Sequence, residues 1–201
     1  SLETFSAEKT IVSELEWLAP DGSVVLEETR EMTFVEPPPS PGSVVQIDLE
    51  TTLSATDRAV VLDFCHGLDD PGTEPYGGVR WSAHADVAMD GSATYRFPND
   101  AFPGNDPGVL EIRRASGIPW VIQTFPHNGT RYSVHQMDHP DNPFDTHWSA
   151  YRSDGSSGTF FDATLAAGDP LTARCGFYVA RGPLLSDSVY NTVYKDYANR
   201  A

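Results

Sequence analysis

Apolar and polar residues alternate with a period of two through most of this chain. From Val24 to Phe34, Val24, Leu26, Met32 and Phe34 fall on one face of an extended strand, with Glu27, Thr29, Glu31 and Thr33 on the other. Glu28 and Arg30 fall on the apolar side. The strand therefore either leaves the core midway, at an exposed sheet edge, or points an ion pair into a cleft; the rarity of buried charge favours the edge. A Pro-Asp-Gly turn at 20–22 joins this strand to a preceding one over Thr10 to Leu18. The alternation returns after the Pro-rich loop PPPSPG, with Val45, Ile47, Leu49 and Leu53 on one face, and again with Val60, Leu62 and Phe64. Near the end, Phe161, Ala163 and Leu165 precede Leu171, Ala173, Cys175, Phe177 and Val179. Such segments are half-buried antiparallel strands. Helical spacing is strong only in LSDSVYNTVYKDYANR, where Val189, Val193 and Tyr197 recur every four residues and Ser186 can cap.

Many short strands punctuated by 16 Gly and 16 Pro predict an all-β, antiparallel sandwich or jelly roll with one short C-terminal helix, rather than an α/β fold. A length of 201 residues suits a single domain. The stretch Phe97 to Gly117 contains too many chain breakers for regular structure and reads as a long functional or mobile loop.

Charge narrows the partners. With 29 acidic and 13 basic residues the net charge is −16, which repels phosphate backbones and anionic lipid, so neither nucleic acid nor a membrane is an expected partner. The chain has no run of the roughly 20 apolar residues that cross a bilayer and no visible signal peptide, so a soluble protein is expected, with the cytoplasm slightly favoured over secretion. Cys65 and Cys175 read as two buried free thiols rather than a bridge.

Candidate chemistry concentrates in VHQMDHPDNPFDTHW, Val134 to Trp148, with three histidines, three aspartates and two prolines. Pro140 and Pro143 argue for a rigid loop rather than a helix or central strand. His135, Asp138, His139 and His147 form the best constellation, since imidazoles and carboxylates relay protons and ligate metals. If the first part is extended, His135 and His139 share one face while Gln136 and Asp138 take the other. A structural loop, with Asp138 and Asn142 capping turns and His139 packed on Pro140, is the bland alternative. Trp81, Trp120, Tyr132, Trp148 and Tyr151 lie near the polar segments and can stack on sugar rings, while Arg80 can bind hydroxyls or a carboxylate. The acidic turns at 69–75 and 153–155 fit no EF-hand loop and read as solvated turns. The GxSxG, GxxxxGK[ST] and HExxH patterns are absent.

The order DHPDNP, THW, a Gly-rich turn, FFDATLAAGDPLTARCGFYVARG and YKDYA resembles the C-terminal part of the PmoA-like family, often labelled "methane oxygenase PmoA". REMTFVEPPPSPGSVVQIDLETTLSA and YGGVRWSA extend the likeness to residues 23 to 198. The resemblance implies a β-supersandwich of the galactose-mutarotase type, complete or lacking an N-terminal portion, with the 134 to 148 segment at the mouth of a concave face. Family members carry an upstream His-rich segment of the form HHRG, so the resemblance also implies that part of a site lies outside this sequence.

It further implies a protein that acts on or binds a small carbohydrate. If enzymatic, the reaction would be proton transfer at a sugar ring, of epimerase, lyase or hydrolase type, with His139 or His135 and Asp138 as catalytic groups and Arg80, Trp148, His147 and Asn142 binding substrate. In mutarotase-like enzymes a histidine protonates the ring oxygen and a carboxylate takes the anomeric proton; here His84, His127 or His139 is the candidate acid and Glu111 or Asp138 the candidate base. One alternative is a non-catalytic sugar-binding or assembly module, forming a homo-oligomer or pairing its strand edges with a companion chain. A second is a metal-dependent oxygenase with a divalent metal on His135, His139 and His147; otherwise neither cofactor nor metal is expected.

Overall fold

The structure, a computed structural model, describes residues 9–37, 39–40, 42–62, 78–82, 93–98, 111–143, 145–151 and 155–200. In chain order the strands are β1 (Lys9–Leu18), β2 (Val24–Val35), β3 (Ser43–Ala55), β4 (Val60–Leu62), β5 (Gly78–Ser82), β6 (Thr94–Arg96) and β7 (Glu111–Ser116). There follow β8 (Trp120–His127), β9 (Thr130–Asp138), β10 (His147–Tyr151), β11 (Ser156–Phe160), β12 (Ala163–Leu165) and β13 (Leu171–Arg181), then helix α1 (Asp187–Ala198). A seven-stranded sheet runs β1-β2-β3-β13-β9-β8-β6, a four-stranded sheet runs β5-β11-β10-β7, and β12 pairs with β4. All these pairings are antiparallel. Among the described residues the chain forms the expected all-β architecture with one C-terminal helix.

The β1–β2 hairpin closes as the Pro-Asp-Gly signal requires. Asp21 Oδ1 accepts from both the Ser23 backbone N–H (2.9 Å) and its hydroxyl (2.7 Å), and Gly22 takes a φ of +84°.

The seven-stranded sheet has two unlike faces. One is covered by α1: Tyr190, Val193 and Tyr197 pack on Trp120, Ile122, Met137, Tyr178 and Ala180. Gly176 makes room for this, because a Cβ there would lie 2.8 Å from Tyr197 Cε2. Ser186 occupies the N-cap position, but its hydroxyl bonds Ser188 Oγ (2.8 Å) rather than a backbone N–H; the first turn holds Asp187, paired with Arg96. The other face meets the four-stranded sheet over the β9-β8-β6 side. There Tyr95 donates to the Ser156 carbonyl, Gln123 to that of Gly155, and Gln136 to that of Val79 while accepting from Ser157. These bonds satisfy polar groups that an interlayer core would otherwise strand.

Several expectations need correction. The 134 to 148 segment is not one loop: Val134–Asp138 ends β9, a central strand, and His147 and Trp148 begin β10, leaving only the turn between them irregular. The prolines sit in that turn and interrupt no strand. The stretch from Phe97 to Gly117 is not wholly irregular, since Glu111–Ser116 forms β7; residues 99–110 lie outside the described residues. The alternation of Phe161, Ala163 and Leu165 does not mark one strand: β11 ends at Phe160 and β12 begins at Ala163, and the two join different sheets. Glu28 and Arg30 are not spread along an exposed edge: Glu28 is buried and the two form an ion pair in a groove. Cys175 is a buried free thiol, and Cys65 lies outside the described residues. Among the described residues no helix is long and apolar enough to cross a membrane.

Candidate functional site

Four strand ends converge at one end of the layers: β7 stops at Ser116, β8 starts at Trp120, β9 stops at Asp138 and β10 starts at His147. The ladder fixes this meeting, since His147 pairs with Ser116 and the Asp138 N–H donates to the Pro119 carbonyl (2.9 Å). Between the two turns lies a polar pocket of about 480 Å³ whose wall includes Asp138, His139, Asn142, Asp145, Thr146 and His147. The fold thus gathers Asp138, His139, His147 and Asn142, all candidates from the sequence, around one space.

Asn142 builds the pocket. Its Nδ2 donates to Asp138 Oδ1 (2.8 Å) and to the Arg174 carbonyl (2.9 Å), while its Oδ1 accepts from the Arg174 N–H (2.8 Å). One side-chain amide therefore imitates a strand partner for β13 and holds the 139–146 turn against it. Trp148 acts from behind: fully buried between the layers, it donates Nε1–H to the Ile118 carbonyl (2.7 Å) and pins the opposite wall. It has no exposed ring face and lies behind the wall rather than lining the cavity.

Burial raises the Asp138 pKa from its ordinary value to about 6. Desolvation is the dominant cause, opposed by Thr146, the Asn142 amide and the His139 N–H. Of the two side chains, Asn142 makes the well-aligned bond; the Thr146 hydroxyl acts on the carboxyl without closing a bond of good geometry. His139 is buried, its Nδ1 accepting from the Asp141 N–H (3.2 Å) and its ring edge-on to Tyr197 at 5.3 Å. Burial pulls the imidazole below its usual pKa, with Asp141 working against the shift.

His135 is elsewhere. It shares the α1 side of the sheet with His139, as strand parity requires, but stands mid-strand, fully buried, edge-on to Trp120 and Tyr190 at 5.1 Å each. Among the described residues neither ring nitrogen has a hydrogen-bond partner, and burial lowers its pKa to about 3. Trp120 is likewise beneath the helix, with Nε1 donating to Asn191 (3.2 Å), and His127 is exposed beside the β8–β9 turn. Trp81 stacks on Phe125, and Phe125 on Tyr132. The side chains of Arg80, Glu111 and Tyr151, with His84, Asp154 and the 69–75 turn, lie outside the described residues. Among the described residues no three His, Cys, Asp or Glu side chains converge as a metal site, so His135, His139 and His147 do not form one cluster.

Sequence reasoning missed Asp145, Thr146 and the Ser116–Pro119 wall. Gly117, the last residue of the breaker-rich stretch, and Pro119 mark a tight turn, but nothing local says that it faces Asp138.

Fold and site together define an antiparallel β-sandwich protein with a polar pocket where strand ends of its two larger sheets meet. Residues 2–194 match the Family of unknown function (DUF6807), and the chain belongs to that family. Comparison with curated proteins finds no match.

Proposed function

We propose that the polar pocket binds a sugar or sugar derivative and that Asp138 exchanges a proton with it. The observation that carries this reading is a carboxyl pushed up to about 6 by burial while lining an open polar cavity. Such a group is present in both protonation states near neutrality, which suits general acid or base work. His139 and His147 line the same space as second proton-transfer groups or hydroxyl partners, and Asn142 fixes the carboxyl. The wall is rich in donors and acceptors and has few apolar side chains, matching a polyhydroxylated ligand. The resemblance to the PmoA-like, mutarotase-type family supports the same ligand class by analogy. His135, buried under the helix, takes no part in this scheme. The oxygenase alternative has no ligand cluster among the described residues to rest on.

Saturation-transfer NMR with a panel of aldoses and their uronic acids, together with anomer-exchange rates, tests the reading. Binding or accelerated exchange is expected for at least one sugar, with exchange lost in Asp138→Asn and binding weakened in His147→Ala. No bound sugar, or unchanged behaviour in both variants, would sink it.

A second reading, a non-catalytic assembly module, draws on β1. This edge strand exposes Ile11, Val12, Leu15, Trp17 and Leu18, and among the described residues it pairs with β2 alone. Sedimentation of the chain against Val12→Lys tests it: a concentration-dependent dimer that the variant abolishes is the expected signature.

A further inference from the structure

On the face opposite α1, the β1-β2-β3-β13 side of the large sheet carries a groove of about 580 Å³ that shares no lining residue with the polar pocket. Its size falls within the roughly 300–1,000 Å³ of small-molecule sites. The floor is mostly aliphatic, with Met32, Ile47, Leu49, Leu53 and Val179 among its side chains, and Val61 on the rim is 67% exposed. Into this apolar space the chain puts one charged device. Glu28, only 3% exposed, accepts from Trp17 Nε1 (2.8 Å) at Oε2 and from Arg30 Nε (2.8 Å) at Oε1, with Arg30 Nη2 2.6 Å from the same oxygen. Glu28 is buried while its cation is half-exposed, so Arg30 is the compensating charge that this carboxylate needs at the groove wall.

We propose that this groove binds a medium-chain alkyl carboxylate, with the chain along the aliphatic floor and the carboxylate on Arg30. The polar inventory selects that class. Glu28 already takes three donors, whereas a guanidinium carries five N–H groups, and among the described residues Arg30 spends Nε and Nη2 on Glu28 alone. The site therefore offers donors and asks for an acceptor. The cross-strand neighbours of Arg30 are Ser13 and Thr51, both neutral, so Glu28 is the one acid flanking it on the ladder. The Arg30 side chain is 44% exposed, leaving its outer edge open to a planar two-oxygen headgroup of the kind that matches a guanidinium. A sugar fits less well, because apart from the Trp17 and Trp81 indoles a ring of hydroxyls would find polar groups only on Glu28, Arg30 and Thr51, and Glu28 and the Trp17 N–H are already paired with each other.

Calorimetric titration of decanoate below its micelle concentration, with 1-decanol as the uncharged comparison, tests the proposal. One saturable decanoate site per chain is expected, tightening as salt screens the net charge of −16. The unaltered chain should prefer decanoate over decanol by about tenfold, a comparison that needs no variant. Arg30→Gln alone leaves Glu28 buried without its cation and threatens the fold, so the informative variant is Glu28→Gln with Arg30→Gln, which removes both charges together. That double variant should weaken decanoate by about tenfold or more while leaving decanol within about threefold. Asp138→Asn should change neither. Absence of a saturable decanoate site, equal affinity for the two ligands in the unaltered chain, equal loss of both in a double variant that still melts cooperatively, or binding accompanied by a doubling of mass would each overturn it.

Discussion

His135 and Asp138 stand close together on β9, and burial shifts both, yet their surroundings differ in kind. His135 lies under α1 with no polar partner among the described residues and is held neutral, its pKa lowered to about 3. Asp138 stands where the strand leaves the sheet, anchored by Asn142 and facing a cavity, its pKa raised to about 6. Desolvation acts on both by the same physics, disfavouring whichever form is charged. Of the two, only Asp138 combines a perturbed pKa with access to a cavity, which is what the proposed proton exchange requires. A shifted pKa marks burial first and function second.

The sharpest way to break this contrast is to lift the helix. Gly176→Val puts side-chain carbon where a Cβ already meets Tyr197 Cε2 at 2.8 Å and Met137 Cε at 2.9 Å, so α1 must move. Denaturant unfolding should report a loss of about 2 kcal/mol or more, and α1 should become susceptible to protease. An unchanged midpoint would mean that the helix is not what keeps His135 dry.

Asn142→Ala comes next. It removes three hydrogen bonds at once, and the loss of the Arg174 pairing frees the turn from β13. A cost of about 2 kcal/mol is expected from unfolding curves. Losing its donor also raises the Asp138 pKa further above 6, which a carboxyl-carbon NMR titration measures directly. A fall instead would show that solvent entering the loosened turn outweighs the lost bond.

The two titrating groups then separate by pH. Between about pH 3 and 6.5 the unfolded chain holds more protons than the native one at His135, so that group makes stability rise with pH, fully present above 6.5 and lost toward 3. Between about 3.8 and 6 the native state holds the extra proton at Asp138, so that group makes stability fall with pH. The two slopes oppose each other over most of this range. Removing one should therefore unmask the other: between these limits the stability of His135→Phe should slope downward relative to wild type, and that of Asp138→Asn should climb more steeply. At neutral pH His135→Phe should shift stability by no more than about 1 kcal/mol, because the imidazole it replaces makes no hydrogen bond among the described residues. A large loss there would reveal a polar partner for His135.

Legibility in the sequence follows burial. β2, β3 and β13 each show a half-buried alternation and are readable, as is the helix, although its innermost residues are Tyr190, Val193 and Tyr197, with Val189 at the flank. β8 and the second half of β9 are not. Trp120 to Thr124 and Ser133 to Met137 are covered on both faces, by the helix on one and the four-stranded sheet on the other, so the period of two disappears. In β9 the sheet-facing side is polar as well, since Gln136 is needed to tie the layers together. A buried strand containing His and Gln reads as a loop.

The candidate site divides in the same way. The residue types that supply its chemistry, Asp138, His139, Asn142 and His147, are near neighbours in the chain, and their polarity and prolines single them out without any coordinates. Local periodicity and composition suffice to say that the fold is antiparallel β, that a helix closes it, and that acid–base groups cluster near residue 140. They do not say which of those groups meet, that His135 is sealed away, that the Ser116–Pro119 turn forms the far wall, or that Glu28 and Arg30 face a groove. Each of those outcomes depends on which strands become neighbours, and hydrogen-bonded pairing between distant segments leaves no mark in the local pattern of either one.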